Sequence, residues 1–305
     1  MDNKIVLRLS NNLGNQMFMY ASAFSIAKQL RRELLIDDET AFNLNQNLHK
    51  FNLNIFDYSA KKAPDSLKFK GFKGYIKRKV MKNLDIFINR KNFYIEQKDK
   101  NKITYFNKNY INIDFKDNLF LEGHFESEKY FIDYKKEIVN EFNFKRQYNL
   151  EKNQIFSLLK DSTSVCVCLR QNRFSEKKRS ITNQDMQESD KFSIEQSIYI
   201  KKAMDILKSK LSNPKFFLWS NDYKNVFKYL PKNEFTLIST NEIDLDLFLM
   251  TQAKHYILIP STFNWWGCWL SRSNEKIVLR PSDNYFSKFK INNKDFWPER
   301  WGRVD

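Results

Sequence analysis

Short apolar runs alternate with segments of helical length along this chain. Near its start, an apolar run at residues 5–9 precedes a turn at 10–16, a predicted helix at 17–31 and a second apolar run at 34–37. The pattern returns later, with strands predicted at 164–169, 216–219, 256–259 and 277–279 and helices at 194–211 and 245–253. Strands that alternate with helices at this spacing form parallel, doubly wound sheets, which bind ligands at the carboxyl ends of their strands.

The chain of 305 residues is long enough for two lobes of about 150 residues each. A polar stretch at 145–153 separates the alternating regions, so we place the lobes at 1–150 and 151–305. The first lobe should also contain a strand at 119–122 and a helix at 128–142. In the second lobe, Ser193 and Gln196 have the Ser-x-x-Gln spacing of a capping box, which predicts a helix start there.

The chain is strongly basic, with 52 Lys and Arg against 36 Asp and Glu and a net charge of +16. This charge favours nucleic acid, the phosphates of a nucleotide sugar or an anionic membrane, without choosing among them. The abundance of Lys, Asn, Ile and Phe is also what AT-rich coding produces, whatever the function. No recognisable nucleic-acid-binding motif accompanies the charge, so we expect no nucleic-acid partner.

A predicted helix at 75–90 places Ile76, Val80, Leu84 and Phe87 on one face and basic side chains on the other. Such a helix either lies on an anionic membrane or packs as a solvated helix on its own lobe. The sequence has no run of about 18 apolar residues and no signal-peptide pattern. We therefore expect a cytoplasmic protein, and peripheral contact with the inner face of the cytoplasmic membrane stays open as a second hypothesis.

The cysteines Cys166, Cys168 and Cys268 lie in apolar surroundings and lack the C-x-x-C spacing of a zinc site. We expect reduced, structural thiols and no metal centre.

Three strand-to-loop junctions carry residues suited to an anionic ligand. Gly14 opens a helix and allows a ligand to approach the backbone closely. Arg170 and Arg173 follow an uncharged strand, where an arginine can hold a phosphate through two parallel hydrogen bonds. Ser261 and Thr262 precede a helix whose first amides suit a pyrophosphate. Each junction also has a purely structural explanation. The first could be a tight turn, and the second a solvated basic loop that continues through 177–179. The third could be a hydroxyl N-cap followed by tryptophans that pack in the core.

Together and in this order, these segments resemble the bacterial α1,2-fucosyltransferase family, glycosyltransferase family 11, over nearly the whole chain. The matching segments are Leu9–Ala21 (family G-G-L-G-N-Q-M-F-Q-Y-A), Gly123–Phe131 (G-F/Y-x-Q-x-E-x-Y-F), Trp219–Asp222 (F-S-D-D), Met250–His255 (M-S-x-C-K-H) and Pro260–Leu270 (N-S-S-F-S-W-W-G-A-W-L).

The resemblance implies a GT-B-like α/β fold, with two Rossmann-type lobes whose parallel sheets face a central cleft. The lobe at 1–150 would bind the acceptor and the lobe at 151–305 the GDP-sugar, with the last helix packing back on the first lobe. The implied reaction is an inverting, metal-independent transfer of L-fucose from GDP-β-L-fucose. The acceptor would be the 2-hydroxyl of a galactose-type residue in an oligosaccharide or lipid-linked glycan of the bacterial surface. No cofactor is implied, and Asp244-Leu245-Asp246, which has the letters of a metal motif, lies in a predicted helix.

The resemblance also implies roles for single residues in donor binding. Arg170 would bind the β-phosphate and stabilise the charge that develops there. The family's H-x-R-R-x-D is here Cys168–Arg173, which keeps only the first arginine. Gln171 would then hydrogen-bond a phosphate or ribose without charge, and Arg173 would supply the missing cation from a shifted position. Asp222 would accept hydrogen bonds from the guanine edge, while Ser261 and Thr262 would hold the phosphates.

For the transfer step, Gly14 and Asn15 would lie near the transferred sugar. A base, or at least an acceptor for the proton of the attacking hydroxyl, is also required. Glu126 is our choice, and Asn15, Glu126 and Arg170 form the predicted catalytic set. His124 and Glu128 are neighbouring candidates that a packed side chain and a helix cap would explain equally well.

Three other readings stay open at this stage. The altered arginine motif permits a transferase for another GDP-sugar, such as a deoxysugar or a heptose. It also permits a relative that binds a sugar or nucleotide without catalysis. A basic nucleic-acid-binding protein is the third, and the concentration of aromatic residues in apparent core segments speaks against it.

Overall fold

The computed structural model describes residues 3–43, 49–101, 103–151, 153–176, 180–286 and 292–305. The chain forms two compact units: Met1–Lys145 with Lys294–Phe296, and Arg146–Asn293 with Trp297–Asp305. The carboxyl-terminal segment that joins the first unit, Lys294–Phe296, forms a turn. The basic residues at 177–179 lie outside the described part of the chain.

The first unit is built on a five-stranded parallel sheet with the order β3-β2-β1-β5-β4. Its strands are β1 (Lys4–Arg8), β2 (Glu33–Asp37), β3 (Lys61–Lys62), β4 (Lys91–Ile95) and β5 (Phe115–Glu122), and its helices are α1 (Leu13–Gln29), α2 (Gly71–Leu84) and α3 (Lys135–Glu141). The central strand β1 buries Ile5, Val6 and Leu7, and α1 is buried over most of its length. On one side of the sheet, the rings of Phe69, Phe93 and Phe120 pack together.

The second unit contains a six-stranded parallel sheet with the order β11-β10-β9-β6-β7-β8. Its elements are α4 (Gln154–Asp161), β6 (Thr163–Leu169), α5 (Asn183–Lys210), β7 (Pro214–Ser220), β8 (Phe235–Leu237), α6 (Ile243–Thr251), β9 (His255–Ile257), α7 (Thr262–Trp269), β10 (Val278–Pro281) and β11 (Gly302–Val304). Strand β6 is buried almost throughout and pairs with β7 over its full length. Trp265 and Trp266 on α7 are completely buried, so they are core residues.

The predicted α/β class with parallel sheets in two lobes is confirmed, but several element bounds were wrong. The helix predicted at 194–211 begins at Asn183, and its capping box is Thr182 with Asp185 rather than Ser193 with Gln196. The helix predicted at 128–142 is two short 3₁₀ turns followed by α3. The helix predicted at 75–90 is α2 at Gly71–Leu84. Strand β4 and helix α4 were not predicted at all.

The three cysteines are buried free thiols, as predicted, and burial raises the pKa of Cys166 well above its ordinary value. Among the described residues, no helix is both long and apolar enough to cross a membrane.

Candidate active site

The second unit brings three loops to one edge of its sheet. Strands β9, β6 and β7 are parallel neighbours, so the segments that follow them leave the same edge. These segments begin at residues 258, 170 and 221, and each contains predicted donor-binding residues. Open parallel sheets bind their ligands at this edge.

Arg170 is held from behind by a buried glutamine of α5. The Arg170 backbone amide donates to Gln196 Oε1 at 3.0 Å, and Gln196 Nε2 donates to the Arg170 carbonyl at 2.7 Å. The guanidinium donates to the carboxylate of Glu176. Its Nε is buried and has no hydrogen-bond partner among the described residues. An arginine fixed in this way at the end of a strand keeps a donor for a ligand oxygen.

Gln171 ties the loop after β6 to the loop after β7. It is only 2% exposed, and its backbone amide donates to Asn221 Oδ1 at 2.8 Å. Its side-chain NH₂ donates to Ser220 Oγ at 3.1 Å and to the carbonyl of Asp222. Both amide hydrogens are therefore used inside the protein. A phosphate oxygen only accepts hydrogen bonds, so in this arrangement the Gln171 side chain has no donor left for one.

Asp222 presents an anchored carboxylate at the end of β7. It accepts hydrogen bonds from Lys224 N at 3.0 Å, Asn225 Nδ2 at 3.1 Å and Asn172 Nδ2 at 3.2 Å. The hydrogen bonds, the one from Asn225 first, hold the pKa of Asp222 below its ordinary value despite partial burial. The carboxylate is therefore ionised near neutral pH, and most of its roughly four acceptor sites are already used by these three groups.

Arg173 connects the loop after β6 to the start of α7. Its Nη1 donates to the carbonyl of Pro260 at 3.2 Å, and its guanidinium carbon lies 5.2 Å from the ring centroid of Phe192. Arg173 therefore lies beside the segment that contains Ser261 and Thr262. In sequence it follows Arg170 by three residues.

Near the start of α7, Asn264 and the Ser261 cap position lack hydrogen bonds that the described residues could have supplied. Ser261 is the N-cap residue, but its side chain makes no capping hydrogen bond. Asn264, three residues later, is only 1% exposed, and neither Nδ2 nor Oδ1 has a hydrogen-bond partner among the described residues. The same spacing at Thr182 and Asp185 forms a complete capping box at the start of α5. Since first-turn amides have no acceptor within a helix, the start of α7 is suited to an oxyanion that supplies the missing partner.

The first unit brings a second group of predicted residues together. Asn15 Nδ2 donates to Glu126 Oε1 at 2.6 Å, and Asn11 Nδ2 lies 2.6 Å from His124 Nε2. His124 Nδ1 is 3.7 Å from the same Glu126 oxygen. These residues follow β1 and β5, which are paired in parallel, so both segments leave one edge of the sheet. Gly14 is buried in the first turn of α1, next to Asn15.

The turn that carries His124 and Glu126 is fixed by the half-buried carboxylate of Glu96. Glu96 accepts hydrogen bonds from His124 N at 2.7 Å and Phe125 N at 3.0 Å. Burial raises the pKa of Glu96 above its ordinary value. Gly123 has φ +153°, and a Cβ at this position would lie 2.3 Å from the Cβ of Glu96. The turn therefore requires glycine here.

The metal-motif letters at Asp244 and Asp246 are in the first turn of α6. Asp244 accepts a hydrogen bond from Tyr148 Oη at 3.0 Å and pairs with Arg146. Burial raises the pKa of Asp246 above its ordinary value. Asp244 and Asp246 thus lie in one helical turn, and Asp244 is paired within the protein.

The sequence reasoning missed four residues of the site: Glu96, Gln196 and Asn221, which support its loops through hydrogen bonds, and Asn264 at the start of α7. Only Asn264 had a usable signal, because Ser261-x-x-Asn264 has capping-box spacing at a helix start. The other three depend on contacts between segments that are far apart in sequence.

A parallel sheet with arginines and a helix start at its carboxyl edge is typical of proteins that bind phosphate-bearing ligands. The chain belongs to glycosyl transferase family 11, whose family description matches residues 2–304, and it is therefore a glycosyltransferase.

Two curated relatives and one solved structure are similar to this chain. An α1,2-colitosyltransferase of Escherichia coli is 27% identical, over 99% of each chain. The O-antigen biosynthesis glycosyltransferase WbnK, also of Escherichia coli, is 25% identical, over 90% of this chain and 92% of its own length. Among solved structures, FUT1 of Arabidopsis thaliana in complex with GDP is similar over 98% of this chain and 76% of its own, with 11% identity and a TM-score of 0.48.

Proposed function

We propose that this glycosyltransferase moves L-fucose from GDP-β-L-fucose to the 2-hydroxyl of a galactose-type residue, with inversion and without a metal ion. The proposal rests on buried hydrogen-bond donors in the second unit that have no partner among the described residues. Arg170 Nε and Asn264 are buried without partners in the described structure, at the edge where a parallel sheet binds its ligand. Family membership supports a sugar nucleotide as that ligand.

The arginines and the start of α7 would hold the donor's pyrophosphate. Negative charge grows on the β-phosphate as GDP departs, and fixed cationic donors and helix-start amides stabilise such charge. Arg170 would meet the β-phosphate directly, while Arg173 supplies the second cation from its place beside Pro260. Ser261 and Thr262 would receive the remaining phosphate oxygens.

Asp222 would select the base of the donor. Guanine offers adjacent N1–H and N2–H donors to a carboxylate, whereas adenine and uracil do not present this pair. The low pKa of Asp222 keeps it an acceptor at neutral pH. A GDP-linked donor therefore fits the end of β7.

Glu126 would take the proton of the acceptor hydroxyl. In the proposed step the hydroxyl oxygen bonds to the sugar's C1, the bond from C1 to the phosphate oxygen breaks, and GDP leaves with the electron pair. Asn15 holds Oε1 of Glu126 at 2.6 Å, which would orient the carboxylate for proton transfer. Gly14, beside Asn15, would allow the sugar to approach the backbone.

A transferase for a different GDP-linked sugar is the second candidate. The colitosyltransferase relative, 27% identical over nearly the whole of both chains, favours it. Position 171 is Gln rather than the family's usual Arg, so the family's preference for GDP-fucose does not carry over directly to this chain. The WbnK relative supports a surface glycan, oligosaccharide or lipid-linked, as the acceptor in either case.

The test is a transfer assay with purified protein and EDTA present. GDP-fucose, GDP-colitose, GDP-mannose and UDP-galactose are offered with a panel of galactoside acceptors. We expect transfer from GDP-fucose alone, and Arg170→Ala should lower kcat/KM by about 10²- to 10³-fold, as for the loss of one charge-stabilising donor. Lys136→Gln, an exposed change on α3, is the control that should retain activity.

The possible results separate the hypotheses. Transfer from GDP-colitose alone selects the second candidate. A requirement for added metal refutes metal independence. Tight GDP binding without transfer from any donor identifies a non-catalytic relative, and neither binding nor transfer refutes the proposed function.

A further inference from the structure

Helix α2 packs on the first unit through one face only. Met81 contacts the cluster that contains Phe69, Phe93 and Phe120. Arg78 Nε donates to Glu122 Oε1 at 2.6 Å, and Lys82 Nζ donates to Glu122 Oε2 at 2.5 Å. These contacts fix which side of α2 faces the sheet.

The opposite face of α2 is an exposed apolar stripe. We define the α2 stripe as Phe72, Ile76, Val80 and Leu84 on the helix, with Ile86 and Phe87 in the turn that follows. The four helical residues are spaced four apart, so they form one row. Phe72 is 77% exposed, Phe87 is 83% exposed, and α2 has no buried residue. A soluble helix normally turns such a row inward, so this row marks an interaction surface.

Unpaired positive charge surrounds the α2 stripe. Lys73, Lys77 and Lys79 are exposed and form no ion pair with any residue that the structure describes. They differ in this from Arg78 and Lys82, whose charges are neutralised by Glu122 on the inner face. Apolar side chains with lysines beside them fit a surface that is apolar inside and anionic at its border, which describes a bilayer with acidic lipids.

We propose that the α2 stripe docks the protein on an anionic phospholipid bilayer. Phe72 and Phe87 would enter the border of the acyl region while Lys73 and Lys79 contact lipid phosphates. Pairing of two α2 stripes around a two-fold axis is disfavoured, because it would bring the lysines of one copy close to those of the other. The proposal extends the proposed function, since a membrane presents a lipid-linked acceptor, but vesicle binding itself requires neither donor nor acceptor.

The experiment measures binding of the full-length protein to vesicles by co-sedimentation. Vesicles of phosphatidylethanolamine with phosphatidylglycerol are compared with vesicles of phosphatidylcholine alone. We expect binding to the anionic vesicles that weakens with salt. Phe72→Ser with Phe87→Ser should weaken binding by about tenfold per side chain. Lys73→Gln with Lys79→Gln should weaken it by about fivefold per lysine.

Matched controls lie elsewhere on the surface. Leu158 and Ile198 are 52% and 53% exposed, and their serine variants should bind vesicles as the wild type does. Lys136→Gln with Lys215→Gln is the matched control for the change in net charge. All altered side chains are exposed, so circular dichroism melts should coincide.

Equal vesicle binding by the α2 variants and the wild type would overturn the proposal. Light scattering that showed a wild-type dimer and monomeric serine variants, without vesicle binding, would assign the stripe to a second copy instead. Transfer to a soluble galactoside should be unchanged in all variants, so a failed membrane test leaves the transferase proposal standing.

Discussion

We predict that Asn264→Leu, near the start of α7, makes the apoprotein more stable but weakens its binding of GDP. Asn264 is buried with both polar side-chain atoms unpaired in the described structure. A buried polar group without a partner costs about 1–3 kcal/mol. Asn264→Leu replaces the amide with an apolar group of similar size, so the free energy of unfolding of the apoprotein should rise by about 1–3 kcal/mol. In a domain of this size, Tm rises by about 2–4 °C per kcal/mol.

The same substitution should weaken GDP binding. A hydrogen bond to a charged group contributes about 1.5–3 kcal/mol, so loss of an Asn264 contact to phosphate should raise the Kd by about 10- to 150-fold. Asn264→Ser, which introduces the residue found here in the family motif, keeps a hydroxyl donor and should lose less. Calorimetric titration with GDP measures the Kd, and thermal unfolding with and without GDP measures the stability.

A substitution of Thr182 is the control, because its expected effect on stability has the opposite sign to that of Asn264→Leu. Its hydroxyl accepts a hydrogen bond from Asp185 N at 3.2 Å in a complete box at the start of α5. Thr182→Ala should therefore destabilise the protein by about 1 kcal/mol and leave GDP affinity unchanged. If Asn264→Leu destabilised the apoprotein while the Kd for GDP stayed the same, Asn264 would be a structural residue and its proposed contact with phosphate would be refuted.

Three further predictions concern the first unit. Glu126→Gln should lower kcat by about 10²- to 10⁴-fold in the transfer assay with an unchanged Kd for GDP, and unchanged kcat would exclude it as the base. Gly123→Ala should lower the urea midpoint by the equivalent of more than about 2 kcal/mol, because its φ is +153° and the new Cβ would lie 2.3 Å from a side-chain carbon; an unchanged midpoint would contradict the turn geometry. Burial alone would raise the pKa of Glu122, but hydrogen bonds from Arg78 and Lys82 lower it. The stabilisation is thus present above the ordinary carboxyl pKa of about 4.3 and is lost as pH falls through the lower folded-state value, so Glu122→Gln should reduce the acid sensitivity of urea unfolding.

The periodicity of the sequence predicted the sheets because buried parallel strands are apolar throughout. The strands at Lys4–Arg8, Thr163–Leu169 and Pro214–Ser220 all lie within a residue or two of their predicted positions. Strand β4 was missed because Lys91–Ile95 lies in a Lys- and Asn-rich region, and its burial depends on contacts with residues outside that strand, such as Phe69 and Phe120. The early start of α5 was missed because Thr182-x-x-Asp185 precedes a polar stretch, while Ser193 and Gln196 offered a second, false capping box inside the helix.

In the candidate site too, features set by the local sequence were predicted, whereas contacts between segments far apart in sequence were not. Arg170, Arg173 and Ser261 each follow a predicted strand. Because parallel strands place their carboxyl ends together, these residues were expected at the same edge of the second unit's sheet. The pairing of Asn15 with Glu126 depends on β1 lying beside β5, a strand order that was not predicted from the sequence. The role of Gln171 could not be deduced, since its partners in the loop after β7 are about fifty positions away in sequence.

The partners of Gln171 also predict the effect of an arginine at position 171. The side chain there is buried against Ser220 and Asp222, so Gln171→Arg would place a cation where two neutral acceptors now bind an amide. We expect this variant to lose about 2–4 kcal/mol of stability without any gain in GDP affinity. Arg173→Ala should instead retain stability to within about 1 kcal/mol, since the residue is only half-buried, and weaken GDP binding by about tenfold or more. Tighter GDP binding by Gln171→Arg, measured by titration calorimetry, would show that position 171 faces the phosphates and that Arg173 does not replace the missing cation.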